Sequence, residues 1–65
     1  GPAPSDAWLL EARAELAEMC RAIEEASASA ADPARAQDLA RFKSVAERLA
    51  RTIALRLDAD ETDRP

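Results

Sequence analysis

Apolar residues recur with heptad spacing in two stretches of the chain, separated by a short segment of small residues. Such spacing places them on one stripe of a helix and therefore predicts two amphipathic helices. Val45, Ala50 and Leu57 widen the stripe of the second helix. The repeating positions are Leu9, Ala12, Leu16, Met19, Ile23, Ala26 and Ala30 in the first stretch and Leu39, Phe42, Ala46, Leu49 and Ile53 in the second.

The boundaries of both helices carry recognisable signals. Ser5 or Asp6 can accept a hydrogen bond from the first free backbone amides, which predicts that the first helix begins there. The apolar pattern decays before Asp32, and Pro33 disfavours a helical conformation at the residue that precedes it. We therefore expect Asp32 to cap a second helix that starts at Pro33. The predicted helices span residues 5–30 and 33–57.

The short connection predicts that the two helices pack as antiparallel neighbours. The predicted fold is all-α, an antiparallel two-helix hairpin over residues 5–57. Residues 1–4 are expected to be a disordered N-terminus, and Gly1-Pro2 is typical of the remnant of a cleaved tag. Residues 58–65 hold four acids and no apolar anchor, so we expect them to form a flexible acidic tail.

The composition limits how much core such a hairpin can bury. The 65 residues include 17 alanines but one Trp, one Phe and one Met, and alanine buries little apolar area. Leu10 and Leu55 lie off the main stripes, at the open end of the hairpin. Because a two-helix unit buries one stripe per helix, this surplus predicts self-association into a four-helix bundle or a ring. The predicted oligomer interface comprises Trp8, Leu9, Leu10, Leu16, Met19, Ile23, Phe42, Val45, Leu49, Ile53, Leu55 and Leu57.

The net charge of −4 conceals an uneven distribution. Residues 6–31 hold six acids and two arginines, whereas residues 33–57 hold five arginines and one lysine against two acids. An acidic helix beside a basic helix favours their pairing and fixes orientation, although each exposed ion pair contributes only ~0–1 kcal/mol.

The residue types argue against an enzyme, a metal site and a cofactor site. The chain has no His and no Tyr, and its one Gly is Gly1, so it lacks the usual general base and phosphate-cradling loops. Glu11, Glu15 and Glu18 share a helical face, but a site for Mg²⁺ or Ca²⁺ needs ligands from a second element. We expect these acids to be solvated and the lone Cys20 to be a buried thiol.

The cellular setting is predicted from cysteine usage and hydropathy. One cysteine excludes an intramolecular disulfide and gives no sign of an oxidising compartment. No apolar run approaches the ~18–20 residues of a membrane span, and no signal peptide opens the sequence. We expect a cytoplasmic protein with no membrane contact.

A cationic stripe on the second helix suggests an alternative function. Phosphate contacts need only placed Arg and Lys side chains, although the acidic net charge and the shortage of aromatic residues argue against nucleic-acid binding. One alternative is a nucleic-acid-binding hairpin dimer that resembles the Rop type, and another is a small regulatory protein that binds a partner. The candidate phosphate contacts are Arg41, Lys43, Arg48 and Arg51.

Two segments carry a resemblance to a known family, DAWLLEARAELAEMCRAIEEA at residues 6–26 and FKSVAERLARTIALRLD at residues 42–58. Together they resemble the central helical hairpin of phage-type terminase small subunits, including those of gene transfer agents. In that family a first helix with paired leucines precedes a second helix that is rich in Ala, Arg and Leu and ends at a short tail.

The resemblance implies a non-enzymatic role in DNA packaging. The hairpin would assemble the small subunits, and the acidic tail would contact the large terminase subunit, an ATPase and nuclease, through Asp58, Asp60, Glu61 and Asp63. Nothing before Ser5 could form the N-terminal helix-turn-helix that usually binds DNA in that family, so direct DNA binding stays open. The predicted function is an oligomerisation or adaptor module, most specifically the core of a terminase small subunit.

Overall fold

Two helices and the turn between them make up the described fold. The computed structural model describes residues 4–62, in which α1 spans Pro4–Ala28 and α2 spans Pro33–Thr62. At a rise of ~1.5 Å per residue the two helices are ~38 and ~45 Å long. No strand occurs in these residues, and the predicted all-helical hairpin is confirmed over this part of the chain.

The helices lie side by side and run antiparallel. Near the turn, Glu24 of α1 forms an ion pair with Lys43 of α2. At the opposite end, Trp8 and Leu9 of α1 lie beside Arg56 of α2. The result is a rod that measures 53 × 14 × 12 Å, so the two helices share one long contact and each leaves most of its surface exposed.

The start of α2 matches the sequence prediction. Asp32 Oδ1 accepts a hydrogen bond from the backbone N–H of Ala34 at 3.0 Å, and the Asp32 carbonyl accepts one from the N–H of Ala36 at 3.0 Å. The first four amides of a helix lack partners within it, so a side-chain acceptor here stabilises the first turn. Asp32 is therefore the N-cap residue of α2, and Pro33 is its first helical residue.

Replacing Asp32 tests this cap. We expect Asp32→Ala to lower the free energy of unfolding by about 1 kcal/mol because one amide of the first turn loses its acceptor. Asp32→Asn is the matched control, since asparagine caps about as well as aspartate. Urea unfolding followed by circular dichroism, at one fixed protein concentration, measures both variants. Equal losses in the two variants would contradict a capping role.

The end of α1 comes two residues before the predicted position, at Ala28. The Ser29 hydroxyl donates to the carbonyls of Glu25 and Ala26 at 3.3 Å each. These carbonyls belong to the last turn of α1, where a serine hydroxyl that bonds back to the backbone competes with continued helix.

The N-terminal end of α1 differs slightly from the prediction. The helix begins at Pro4, so Ser5 and Asp6 are helical residues and do not precede the helix as a cap. Asp6 lies in the first turn, where the helix dipole favours an acid, and only 3% of its surface is exposed. Residues 1–3, which were predicted to be disordered, lie outside the described residues.

The acidic segment after Leu57 is helical as far as the structure describes it, which differs from the predicted flexible tail. Helix α2 continues to Thr62. Arg56 Nε and Asp60 Oδ1 lie 3.2 Å apart, and the Thr62 hydroxyl donates to the Asp58 carbonyl at 2.9 Å. The ion pair joins residues one turn apart and supports the helix there. Residues 63–65 lie outside the described residues.

The core between the helices is thin. Ile23 and Ala46 are its buried apolar residues, with 9% and 2% of their surfaces exposed. Because alanine is small, the two helices can approach closely at Ala46. The larger apolar residues that lie half-buried along the same contact are Leu9, Leu16, Leu39, Ile53 and Leu57.

Candidate functional site

An apolar groove runs along one face of the hairpin, where side chains from both helices meet. It has a volume of about 590 Å³. Both predicted stripes contribute to it, and Met19 and Ile23 of α1 lie beside Phe42 and Val45 of α2. The apolar groove is lined by Leu16, Met19, Ile23, Phe42, Val45, Ala46 and Leu49.

Four of the side chains that line the apolar groove are exposed in a single hairpin. Met19, Phe42, Val45 and Leu49 have between 49% and 61% of their surfaces accessible to solvent. Scattered apolar side chains are normal on protein surfaces, but a contiguous apolar patch marks a site of interaction. The apolar groove is therefore the candidate binding surface of this chain.

The opposite face of the hairpin has a different character. At ~100° per residue, Glu24 lies ~140° around α1 from Met19, and Lys43 lies ~160° around α2 from Val45. Lys43 Nζ and Glu24 Oε1 approach to 2.8 Å and join the helices on this face. Cys20 lies on the same side and is half-buried, less so than the buried thiol predicted.

The ion pair shifts the titration of both partners. The hydrogen bond from Lys43, followed by its charge, holds the pKa of Glu24 below its ordinary value. The hydrogen bond to Glu24, followed by its charge, raises the pKa of Lys43. Because folding lowers the pKa of Glu24, its charged form stabilises the fold at pH values above the pKa it has in the unfolded chain. Because folding raises the pKa of Lys43, its charged form stabilises the fold at pH values below the pKa it has in the unfolded chain. The pair therefore contributes between about pH 5 and pH 10.

Glu24→Gln tests this pH window. We expect a small loss of stability at pH 7 that shrinks as the pH falls below the ordinary pKa of glutamate, because protonation of Glu24 removes its charge from the pair. Glu25→Gln is the matched control, since it removes the same charge from the next position. The thermal unfolding midpoints of both variants and of the unaltered chain give the comparison. A loss that persists unchanged at pH 3 would contradict the assignment.

A second hollow lies at the open end of the hairpin. Trp8, Leu9, Arg56 and Asp60 line it, and its volume is about 310 Å³. The Arg56 guanidinium, which pairs with Asp60, gives this hollow a charged wall. This end hollow therefore differs from the apolar groove, because an ion pair forms part of its lining.

The structure brings together only part of the predicted oligomer interface. Six of its residues line the apolar groove, while Trp8 and Leu9 line the end hollow. Ile53 and Leu57 are half-buried. Leu10 and Leu55 do not line the groove, and Leu55 lies ~180° around α2 from Ala46 with 71% of its surface exposed.

Acidic side chains border the apolar groove along α1. Glu15 lies four residues before Met19, so its side chain is rotated by ~40° around the α1 axis from Met19, on the side away from α2. Glu11 and Glu18 are neighbours of Glu15 on the helix surface at spacings of four and three. All three carboxylates are exposed. We call Glu11, Glu15 and Glu18 the acidic edge.

Basic side chains border the apolar groove along α2. Arg41 lies four residues before Val45 and Arg48 three residues after it, so both are surface neighbours of Val45 on the side away from α1. Both are exposed. We call Arg41 and Arg48 the basic edge. The apolar groove thus lies between charged rows of opposite sign.

The predicted phosphate contacts do not form one cluster. Arg41, Arg48 and Arg51 are exposed within an arc of ~80° on the side of α2 opposite Ala46. Lys43 lies on another side and is engaged by Glu24. Three of the four residues therefore share a surface, and Lys43 is separated from them.

The predicted tail contacts lie at the end of α2. Asp58 and Glu61 are exposed, and Asp60 is half-buried in its ion pair with Arg56. Asp63 lies outside the described residues.

The described residues contain neither a cluster of metal ligands nor a helix that could span a membrane. Over residues 4–62, no group of three or more His, Cys, Asp or Glu side chains is arranged to hold a metal ion. Neither helix, over the same residues, has the length and apolarity needed to cross a bilayer.

The sequence pattern missed the role of Ala46. The predicted interface consists of large residues, whereas Ala46 forms part of the lining of the apolar groove and is the most buried apolar residue described. A signal was present, because Ala46 stands four residues after Phe42 and three before Leu49, at the centre of the second stripe.

Comparisons with known proteins give no relative for this chain. A scan against protein-family models, a search of curated proteins and a search of solved structures each return no match.

Proposed function

We propose that this protein is a non-enzymatic oligomerisation module that binds copies of itself through the apolar groove. The observation that carries the proposal is the exposure of Met19, Phe42, Val45 and Leu49 on one face of a hairpin whose own core is thin. Burying apolar surface is the dominant favourable term in most protein association. Self-association supplies the burial that the hairpin lacks.

A second copy suits this face in chemistry, because it presents the same apolar groove. Two hairpins packed face to face form a four-helix bundle, in which each helix turns its apolar stripe to the centre. The lining of the groove is apolar throughout, so no polar group there needs a special partner.

Within this class, we assign the chain most specifically to the oligomerisation core of a terminase small subunit that helps DNA packaging. The support is the resemblance of residues 6–26 and 42–58, which lie in α1 and α2 respectively. Under this assignment the acidic end of α2 meets the large subunit, and Asp58, Asp60 and Glu61 are its contacts there.

The oligomeric state tests the general proposal. Size-exclusion chromatography with light scattering at micromolar concentration should give a mass at least twice the 7.0 kDa of one chain. Circular dichroism on the same sample should show a helical protein. A helical monomer would contradict the proposal. It would favour the alternative of a small regulatory protein whose apolar groove binds a different partner.

The terminase assignment needs a separate test. Purified large terminase subunit should bind the chain, and replacing Asp58, Asp60 and Glu61 together by Asn or Gln should weaken that binding. Glu25, Asp38 and Glu47, replaced together by Gln or Asn, are the matched control because they remove as much charge from exposed positions outside the acidic edge. If the unaltered chain and both variants bind the large subunit equally, the acidic end of α2 is not the contact with that subunit.

Nucleic-acid binding is the second candidate, and the shared exposed arc of Arg41, Arg48 and Arg51 favours it. Phosphate binding must weaken steeply as salt is raised. A mobility shift with DNA and with RNA that is lost at higher salt, and lost when the three arginines are changed to Gln, would support this candidate. No shift at low salt would exclude it.

A further inference from the structure

We infer that two copies of this chain form a two-fold bundle in which α1 of each hairpin lies against α2 of the other, with both turns at the same end. The inference rests on the proposed self-association. It adds the orientation of the partner, which is determined by the acidic edge and the basic edge.

Two hairpins can pack face to face around a two-fold axis in two ways. If the axis runs along the rod, α1 lies against the partner's α2 and the turns are at one end. If the axis runs across the rod, α1 lies against the partner's α1 and the turns are at opposite ends. Both arrangements bury the same apolar groove, so apolar burial does not distinguish between them.

The net charges of the helices distinguish the two arrangements. Residues 6–28 of α1 hold six acids and two arginines, and residues 33–57 of α2 hold six bases and two acids, whereas Asp58, Asp60 and Glu61 make the last turns of α2 acidic. Along the apolar groove, which residues within 16–23 and 42–49 line, placing α1 on the partner's α1 brings acid to acid and base to base. Placing α1 on the partner's α2 brings opposite signs together twice, once on each side of the axis. Like charges across an interface disfavour the wrong arrangement.

Residues of the acidic edge and of the basic edge also lie at matching positions along the long axis of the rod. The contact of Glu24 with Lys43 shows which residues of the two helices are level with each other. Since the helices are antiparallel with equal rise, Glu18, six residues before Glu24, is level with Leu49, six residues after Lys43. Arg48 is next to Leu49. With the axis along the rod, Glu18 therefore stands at the same height as Arg48 of the partner subunit.

Spin labels near the turn measure the orientation directly. Cys20→Ala removes the native thiol, and Ala31→Cys adds one in the turn. With the axis along the rod, the two labels should be separated by roughly 20–30 Å, about two helix diameters plus the label arms. With the axis across the rod, they should be separated by about the 53 Å length of the hairpin. A label at Ser44→Cys, near the middle of α2, is the control because it gives a short separation in either case.

Charge reversal gives an independent readout. Glu18→Arg alone and Arg48→Glu alone should each raise the dissociation constant by about tenfold, because each places like charges together at both symmetric contacts. The double variant in one chain should recover affinity. Circular dichroism checks that each variant still forms the hairpin.

The outcomes separate the orientation from the function on which it rests. A dimer with labels about a rod length apart, or one that Glu18→Arg tightens, overturns the orientation and leaves self-association intact. A helical monomer overturns both. A ring, recognised by a mass above that of a dimer, overturns the two-fold arrangement alone. Short label separations with affinity recovered in the double variant support the inference.

Discussion

Val45→Asp should abolish assembly at micromolar concentration while leaving the hairpin folded. Val45 has 49% of its surface exposed in the single hairpin, so a carboxylate there remains hydrated in the monomer. In the assembled state it would lie against the apolar side chains of a second copy, where its loss of hydration costs several kcal/mol even with Arg41 and Arg48 beside it. A cost of ~3 kcal/mol raises the dissociation constant by more than 100-fold, and a two-fold interface contains the substitution twice.

Ser44→Asp is the matched control for this result. It adds the same charge at the neighbouring position, which is exposed and lies ~100° around α2 from Val45, away from the apolar groove. Light scattering and sedimentation equilibrium measure the mass of both variants, and circular dichroism measures their helix content. If both variants dissociate equally, the groove is not the interface. If neither dissociates, another face holds the oligomer together.

Ala46→Leu should destabilise the hairpin itself. Ala46 is 2% exposed at the contact between the helices, so a leucine there must push α1 and α2 apart. Overpacking of this kind costs ~1–3 kcal/mol. For a domain of this size each kcal/mol shifts the melting temperature by roughly 4–8 °C, so we expect a fall of roughly 10 °C.

Ala40→Leu is the control for the effect of leucine on the helix. Ala40 is exposed on the same helix, and leucine has nearly the same helix propensity as alanine. Thermal unfolding at a fixed protein concentration should show little change for Ala40→Leu. A similar fall in both variants would mean that Ala46 does not hold the helices close. An unchanged melting temperature in Ala46→Leu would show that the contact has room for a larger residue.

Local signals in the sequence were enough to predict the hairpin. Asp32 and Pro33 act within one helical turn, so their effect on α2 can be predicted without knowing any neighbour. Heptad spacing likewise identifies the side of each helix that meets the other, and Ile23 and Phe42, one from each predicted stripe, line the same groove.

Features that depend on distances across the hairpin were harder to predict. The contact of Glu24 with Lys43 requires the register between the helices, which the turn geometry sets. The predicted end of α2 at Leu57 rested on the four acids and the lack of an apolar anchor in residues 58–65, and acids near a helix C-terminus are also disfavoured by the helix dipole. There the ion pair of Arg56 with Asp60 offsets that effect.

The position of Trp8 has a practical consequence for observing how the protein opens. Trp8 is the sole tryptophan, the chain has no tyrosine, and it lies at the end of the rod furthest from the turn. Ultraviolet fluorescence therefore reports on that end alone, whereas circular dichroism averages over both helices. If the helices fray from their free ends before the rest unfolds, the fluorescence transition will precede the dichroism transition on heating. Coincident transitions will indicate that the rod unfolds as one cooperative unit.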